Sequence, residues 1–213
     1  MVNRRAKNAH RSGLYFSSQA IDSHWFTYRR EKECAMEVRD VIEVRRSIRA
    51  YRPNPVREED LLLVLEAGRL APTAVNKQPL CFIVLLGEQI ARLKPVYDRD
   101  WFLGAPCVIV VCADHQSAWV RKDGKSYADV DAAIAMDHMI LAAADRGLGS
   151  CWIGAFDRER ACEALRLPGH VEPIVMTPLG YGVSRPDPKP RKSLEELTCW
   201  GVYGNKTRGG NVM

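Results

Sequence analysis

Apolar positions first become regular at Met36. Val38, Val41 and Ile42, with Arg45, recur at helical spacing and predict a helix that stops near Arg46. Residues 47–51 alternate over a short run, and Pro53 and Pro55 keep a helix from passing through, so this stretch reads as extended. Residues 57–70 (REEDLLLVLEAGRL) predict a helix: acids fill its first turn, where they suit the helix dipole, and Pro72 follows its end. Residues 81–86 form a compact β-type run, and 88–94 predict a short helix. The run CVIVVCA at 107–113 is apolar throughout and rich in β-branched residues, which predicts a central strand covered on both faces.

The longest helical pattern is ADVDAAIAMDHMILAAADRG at 128–147, where small residues allow close helix packing and Gly147 supplies a stop. It is apolar round most of its circumference, so a buried core helix and a helix shared with a second chain are equally open readings of the pattern. Further on, 151–153 reads as a strand, 158–165 as a helix and 172–181 as another apolar strand. A Pro-rich link (SRPDPKPRK) and a short helical patch at 194–197 complete the body. Helices and strands mix without strict βαβ alternation. The expectation is an α+β or three-layer mixed-sheet fold instead of a doubly wound one.

Composition then narrows the class. The chain has 213 residues, 46% hydrophobic, which fits one sizeable domain and excludes wholesale disorder. A charge or a proline breaks every apolar run before the roughly 18 residues that a membrane span needs, so no membrane partner is expected. Seven scattered cysteines form no CxxC pair and, with no secretory signal pattern, predict reduced thiols and a cytoplasmic setting. The net charge of +5 is concentrated at the N-terminus, where residues 1–35 carry seven Lys/Arg against three acids. The rest is nearly neutral, which gives no case for nucleic-acid binding by the fold itself. Residues 1–35 therefore read as an N-terminal arm, disordered or arising from an upstream start site; 36–205 read as one domain and 206–213 as a flexible tail.

Three constellations can carry chemistry. Arg45, Arg46, Ser47 and Arg49 put three guanidiniums and a hydroxyl within five residues, suited to bidentate contact with phosphate oxygens. Taken alone, the same residues are more simply read as a solvated basic face at a helix C-terminus. The loop APTAVNKQP, with Pro72, Thr73, Asn76 and Gln78, can read a ring edge of alternating donors and acceptors, or can be a Pro-bounded turn. Lys189, Arg191 and Lys192 form a cationic turn that, by itself, is a solvated charge run. The five histidines are isolated, no metal-ligand spacing occurs, and no GxGxxG, GxSxG or P-loop is present.

Taken in order, RRSIRAY, APTAVNKQPLCFIV, ADRGLGSCWIGAFD, PLGYG and KPRKSLEEL resemble the nitroreductase family of FMN-dependent oxidoreductases, from about Met36 to Tyr203. The resemblance implies a three-layer α-β-α fold with a mixed, mainly antiparallel central sheet, in a homodimer with interfacial FMN sites. It implies that Arg45, Arg46 and Ser47 hold the FMN phosphate and ribityl end, joined by Arg191, with Arg49 near the flavin's pyrimidine side or its chain. Asn76 is implied to face the isoalloxazine, with Pro72, Thr73 and Gln78 in the same loop and Trp152, Ile153 and Gly154 beside the flavin. On this reading Arg45 and residues 152–154 reach one flavin from opposite subunits. NADH or NADPH would reduce the flavin, which then passes electrons to a nitroaromatic, quinone or similar small acceptor, with no protein nucleophile and no catalytic acid or base. A reductive dehalogenase or oxidase of the same superfamily, or a non-catalytic flavin-binding protein, are the alternatives.

Overall fold

A computed structural model describes residues 36–208. The expected N-terminal arm, and residues 209–213 of the expected tail, lie outside the described residues. In chain order the elements are α1 (Val38–Val44), α2 (Glu58–Arg69), a 3₁₀ turn (Ala74–Asn76), β1 (Leu80–Leu86), a 3₁₀ segment (Gly87–Leu93), α3 (Asp100–Leu103), β2 (Cys107–Asp114), α4 (Ala128–Asp145), β3 (Gly149–Ser150), α5 (Arg158–Leu165), β4 (Val171–Gly180) and α6 (Leu194–Leu197).

The four strands form one sheet in the order β1-β2-β4-β3, antiparallel at each pairing. The mixed character expected of it reduces, among the described residues, to one isolated parallel bridge between Ser47 and Ser150. β2 is central and buried along almost its whole length, as its unbroken apolar run requires. Its residues alternate between two cores. Cys107, Ile109 and Val111 join Val64 of α2 and Met136, Met139 and Ala143 of α4 on one face. Val108, Val110 and Cys112 join Ile90, Leu93, Phe102 and Ala161 on the other. The result is the three-layer arrangement, with α2 and α4 on one side of the sheet and the 87–103 segment with α5 on the other.

Some local expectations shift. The run 88–94 winds as 3₁₀, not α. The strand expected at 151–153 is β3 at Gly149–Ser150, and Ile153 touches β4 only through an isolated bridge to Met176. Gly149 and Gly180 are partners there, and each is crowded from outside the pair: a Cβ on Gly149 would meet Ile48, and one on Gly180 would meet Pro106 and Tyr51. Helix α4 is buried along one stripe, at Ala128, Asp131, Ala132, Ala135, Met136, Met139, Ile140 and Ala143. It packs against α2 as well as the sheet, so much of its apolar surface is core.

Burial pushes the Cys107 and Cys112 thiols up to about 12, which keeps them neutral and structural. No helix among the described residues is long and apolar enough to cross a membrane.

Candidate functional site

Helix α1 ends at Val44 because Arg45 turns extended (φ −55°, ψ 133°). Two cations complete that end. Arg46 Nη1 donates to the carbonyls of Glu43 and Arg45, and Arg185 donates to that of Val44. The chain then runs extended between two distant segments. Ile48 N–H donates to Ser150 O (2.9 Å), Arg52 N–H to Tyr181 O (2.8 Å), and Val183 N–H to Ala50 O (3.0 Å). Ile48 is buried, while Arg49 beside it is exposed, as alternation along an extended chain requires.

Arg45, Arg46, Ser47 and Arg49 line a cleft of about 660 Å³ whose opposite wall is the Pro-rich link, with Asp187, Lys189 and Arg191. The cationic turn far along the chain is thus brought onto the first cluster. Three arginines from the first cluster, Lys189 and Arg191 face Glu43 and Asp187, so the cleft is strongly positive. Arg46 Nε is buried without a hydrogen-bond partner among the described residues. A buried donor without a partner is costly, and a bound anion would satisfy it. A second hollow of about 280 Å³ adjoins it between Arg45, Arg46, Gly147, Ser150 and Gly182.

The sheet edge continues from this cleft. Cys151 N–H donates to Thr177 Oγ1 (3.1 Å), Trp152 is 42% exposed, and Ile153 is buried against Met176. Burial raises the Cys151 thiol, opposed by the Arg49 charge and a hydrogen bond with Ser47. The Arg49 guanidinium lies over the Trp101 ring, 5.8 Å from its centroid. Trp101 belongs to α3, an element the sequence pattern does not reveal.

Because Ser47 bridges Ser150 within one chain, Arg45 and residues 152–154 share one sheet edge. The expectation sets them on opposite subunits, and a single chain already brings them side by side. The loop with Pro72, Thr73, Asn76 and Gln78 is the one that stands apart. Ala74 N–H donates to Asp131 near the start of α4 (2.9 Å), whereas Arg45 and Arg46 flank Ala144 and Gly147 at its far end. The fourteen helical steps from Asp131 to Asp145 span about 21 Å. Within the loop Gln78 N–H donates to Thr73 Oγ1 (3.0 Å), and Gln78 Nε2 donates to Asn76 Oδ1 (3.1 Å). Asn76 and Gln78 are both exposed, with φ of 56° and 52°.

A family model described as the nitroreductase family matches residues 42–97 and 92–181. The chain belongs to the nitroreductase family. With that membership it is an oxidoreductase. A Methanothermobacter thermautotrophicus protein, provisionally named NADH dehydrogenase/NAD(P)H nitroreductase, is 33% identical over 166 residues, 73% of this chain and 82% of its own length. The Bacillus subtilis FMN reductase [NAD(P)H] is 29% identical over 181 residues, 76% of this chain and 72% of its own. A nitroreductase family protein from Clostridium difficile 630, known from its crystal structure, superposes with a TM-score of 0.74 at 33% identity, covering 78% of this chain and 99% of that one. The nitroreductase match takes in every cofactor-site residue that the sequence resemblance implies except Arg191, which lies beyond residue 181.

Sequence reasoning missed Asp131, which is 1% exposed. A signal was present: it sits four residues before Ala135 and eight before Met139, on the stripe that α4 buries.

Proposed function

We propose that this nitroreductase-family chain binds FMN and uses NADH or NADPH to reduce a nitroaromatic, quinone or similar small acceptor in alternating half-reactions. The observation that carries this is the convergence of Arg45, Arg46, Ser47, Arg49 and Arg191 on one positive cleft at the head of the sheet edge. The unpartnered Arg46 Nε and the Ser47 hydroxyl suit a phosphate monoester, and the edge at 151–154 gives a flat ring somewhere to lie beside the phosphate site. The names of its relatives, which include NAD(P)H and FMN, support the donor and the cofactor.

Bound FMN supplies a two-electron carrier that takes hydride from the nicotinamide and gives electrons to the acceptor. The chain's own residues position it. Arg45 and Arg191 hold phosphate from the two walls of the cleft, and Ser47 adds a neutral donor. Arg49 places positive charge along the sheet edge, where it favours an electron-rich ring. No side chain acts as a nucleophile.

A homodimer completes the site. Within one chain, the Asn76 loop and the arginine cleft are at opposite ends of α4. A two-fold axis can set one chain's loop against the other's cleft, so Arg45 and residues 152–154 come from one chain and Pro72, Thr73, Asn76 and Gln78 from its partner. Exposed apolar side chains support such an interface: Val38 and Ile42 on α1, and Leu194, Leu197, Val202 and Tyr203 near the C-terminus.

The test is the visible spectrum of the purified protein and the identity of any flavin released. It is followed by anaerobic reduction with NADH and NADPH and turnover on a nitrofuran and quinone panel. A protein that takes up no FMN on titration refutes the cofactor. Light scattering that shows a flavin-loaded monomer at micromolar concentration refutes the shared site.

A further inference from the structure

We infer that Asp131 is a positioning residue, a buried carboxylate that holds the turn at residues 73–78 in the shape that presents Asn76 to the flavin; the inference rests on the function proposed above. Three features of the structure lead there. The first is the turn itself. Val75 (φ 45°), Asn76 (φ 56°) and Gln78 (φ 52°) all adopt the left-handed region that L residues avoid, and Val75 is β-branched. Val75 is 69% exposed, so packing does not hold it there. Strain of this kind persists only where neighbouring groups over-determine the backbone.

The second is what fixes it. Asp131 Oδ1 accepts from Ala74 N–H at 2.9 Å, pinning the start of the 3₁₀ turn to α4. Thr73 Oγ1 closes the turn by accepting from Gln78 N–H. Gln78 Nε2 then occupies Asn76 Oδ1, which leaves the Asn76 amide hydrogens as the outward-facing donors.

The third is the cost. Asp131 Oδ2 is buried and has no hydrogen-bond partner among the described residues. A carboxylate oxygen in that state is costly, and an apolar side chain such as Ala would not carry that cost. The helix dipole does not require it either, since the exposed Asp129 already places an acid in the first turn of α4. The bond to Ala74 is the return on that burial.

The experiment titrates FMN into the full-length wild-type chain, Asp131→Ala, Asp131→Asn, Asn76→Ala and the Asp131→Ala/Asn76→Ala pair, following flavin fluorescence and the visible bands of bound FMN. Asp131→Ala is expected to raise the FMN Kd about tenfold, because the turn must be ordered at the expense of binding, and to shift the bands. Asp131→Asn keeps a carbonyl acceptor for Ala74 N–H and restores most of the affinity. In the Asn76→Ala background the Asp131→Ala change adds little, since it acts through Asn76. If Asp131→Ala does not fold, Ala74→Pro removes the same hydrogen bond from the loop side. Thr73 is already extended (ψ 157°), as a residue before proline requires, and the first position of the turn tolerates proline. The same tenfold loss is expected there. Variants that bind FMN like the wild type, or that lose affinity equally in the presence and absence of Asn76, overturn the inference alone. A wild-type chain that takes up no FMN overturns the functional reading, and the inference with it.

Discussion

Replacing Gly149 with Ala adds one methyl group at the point where the arginine-lined cleft is stitched together. A Cβ built there would lie 2.8, 2.9 and 3.0 Å from Ile48 Cγ1, Cβ and Cγ2. Ordinary carbon contacts are about 3.5–4.0 Å, so the intrusion is roughly 0.5–1 Å against three atoms of one β-branched side chain. Such a side chain has little χ1 freedom, and Cβ does not move with χ1 in any case. The backbone must give instead, and it is the backbone that carries the Ile48 N–H to Ser150 O bond and the adjacent Ser47. Overpacking of this kind costs about 1–3 kcal/mol. At about 2 kcal/mol the melting temperature falls by about 4–8 °C for a chain of this size. Ser47 is displaced at the same time, and losing one neutral hydrogen bond weakens FMN by about 2- to 12-fold. Thermal denaturation and FMN titration read the two effects separately. Gly68→Ala is the control, because its Cβ meets chiefly Cε at the flexible end of Met139. It should cost less stability than Gly149→Ala and leave FMN affinity unchanged. A Gly149→Ala protein with wild-type stability and affinity would refute the claim that close approach at Ile48 holds the cleft.

Changing Arg45 and Arg191 together to Ala should raise the FMN Kd by factors of hundreds or more, since each charge-assisted bond contributes about 1.5–3 kcal/mol. The melting temperature of the apoprotein should hardly move, and unchanged FMN affinity would sink the phosphate assignment. Val75→Gly should be neutral or stabilising by up to about 1 kcal/mol in urea denaturation, because relief of about 1–2 kcal/mol of left-handed strain outweighs the extra chain entropy of glycine. A clear loss of stability would mean that the turn is not strained. The thiols of Cys107 and Cys112 have folded values of about 12, above the ordinary 9.0, so they favour folding fully below pH 9. That contribution is lost as pH rises toward 12, and denaturation curves at high pH should show the loss shrinking when both residues are changed to Ala. At pH 8 a thiol reagent should modify the exposed Cys81 before either of them.

Periodicity along the sequence determined the long helices and the longer strands and which of their faces are buried. The central strand CVIVVCA, the α2 pattern and the small-residue helix α4 were legible because local alternation records whether one or both faces meet a core. The arginine-serine cluster and the APTAVNKQP loop were visible too, as residue types suited to phosphate and ring-edge contacts. Only the tertiary structure decided which of these lie together. The Ser47–Ser150 bridge joins residues more than a hundred positions apart, and it assigns residues 152–154 to the same chain edge as Arg45. Nothing in either segment specifies that pairing; it follows from tertiary packing, in which Ile48 lies so close to Gly149 that a Cβ there would clash. The turn at 73–78 gives the same lesson. No Gly marks its left-handed residues, since what holds them there includes a carboxylate from α4, 57 positions away. Burial is a local property and leaves a local trace in the sequence, whereas a contact between distant segments depends on both partners and on the packing that brings them together.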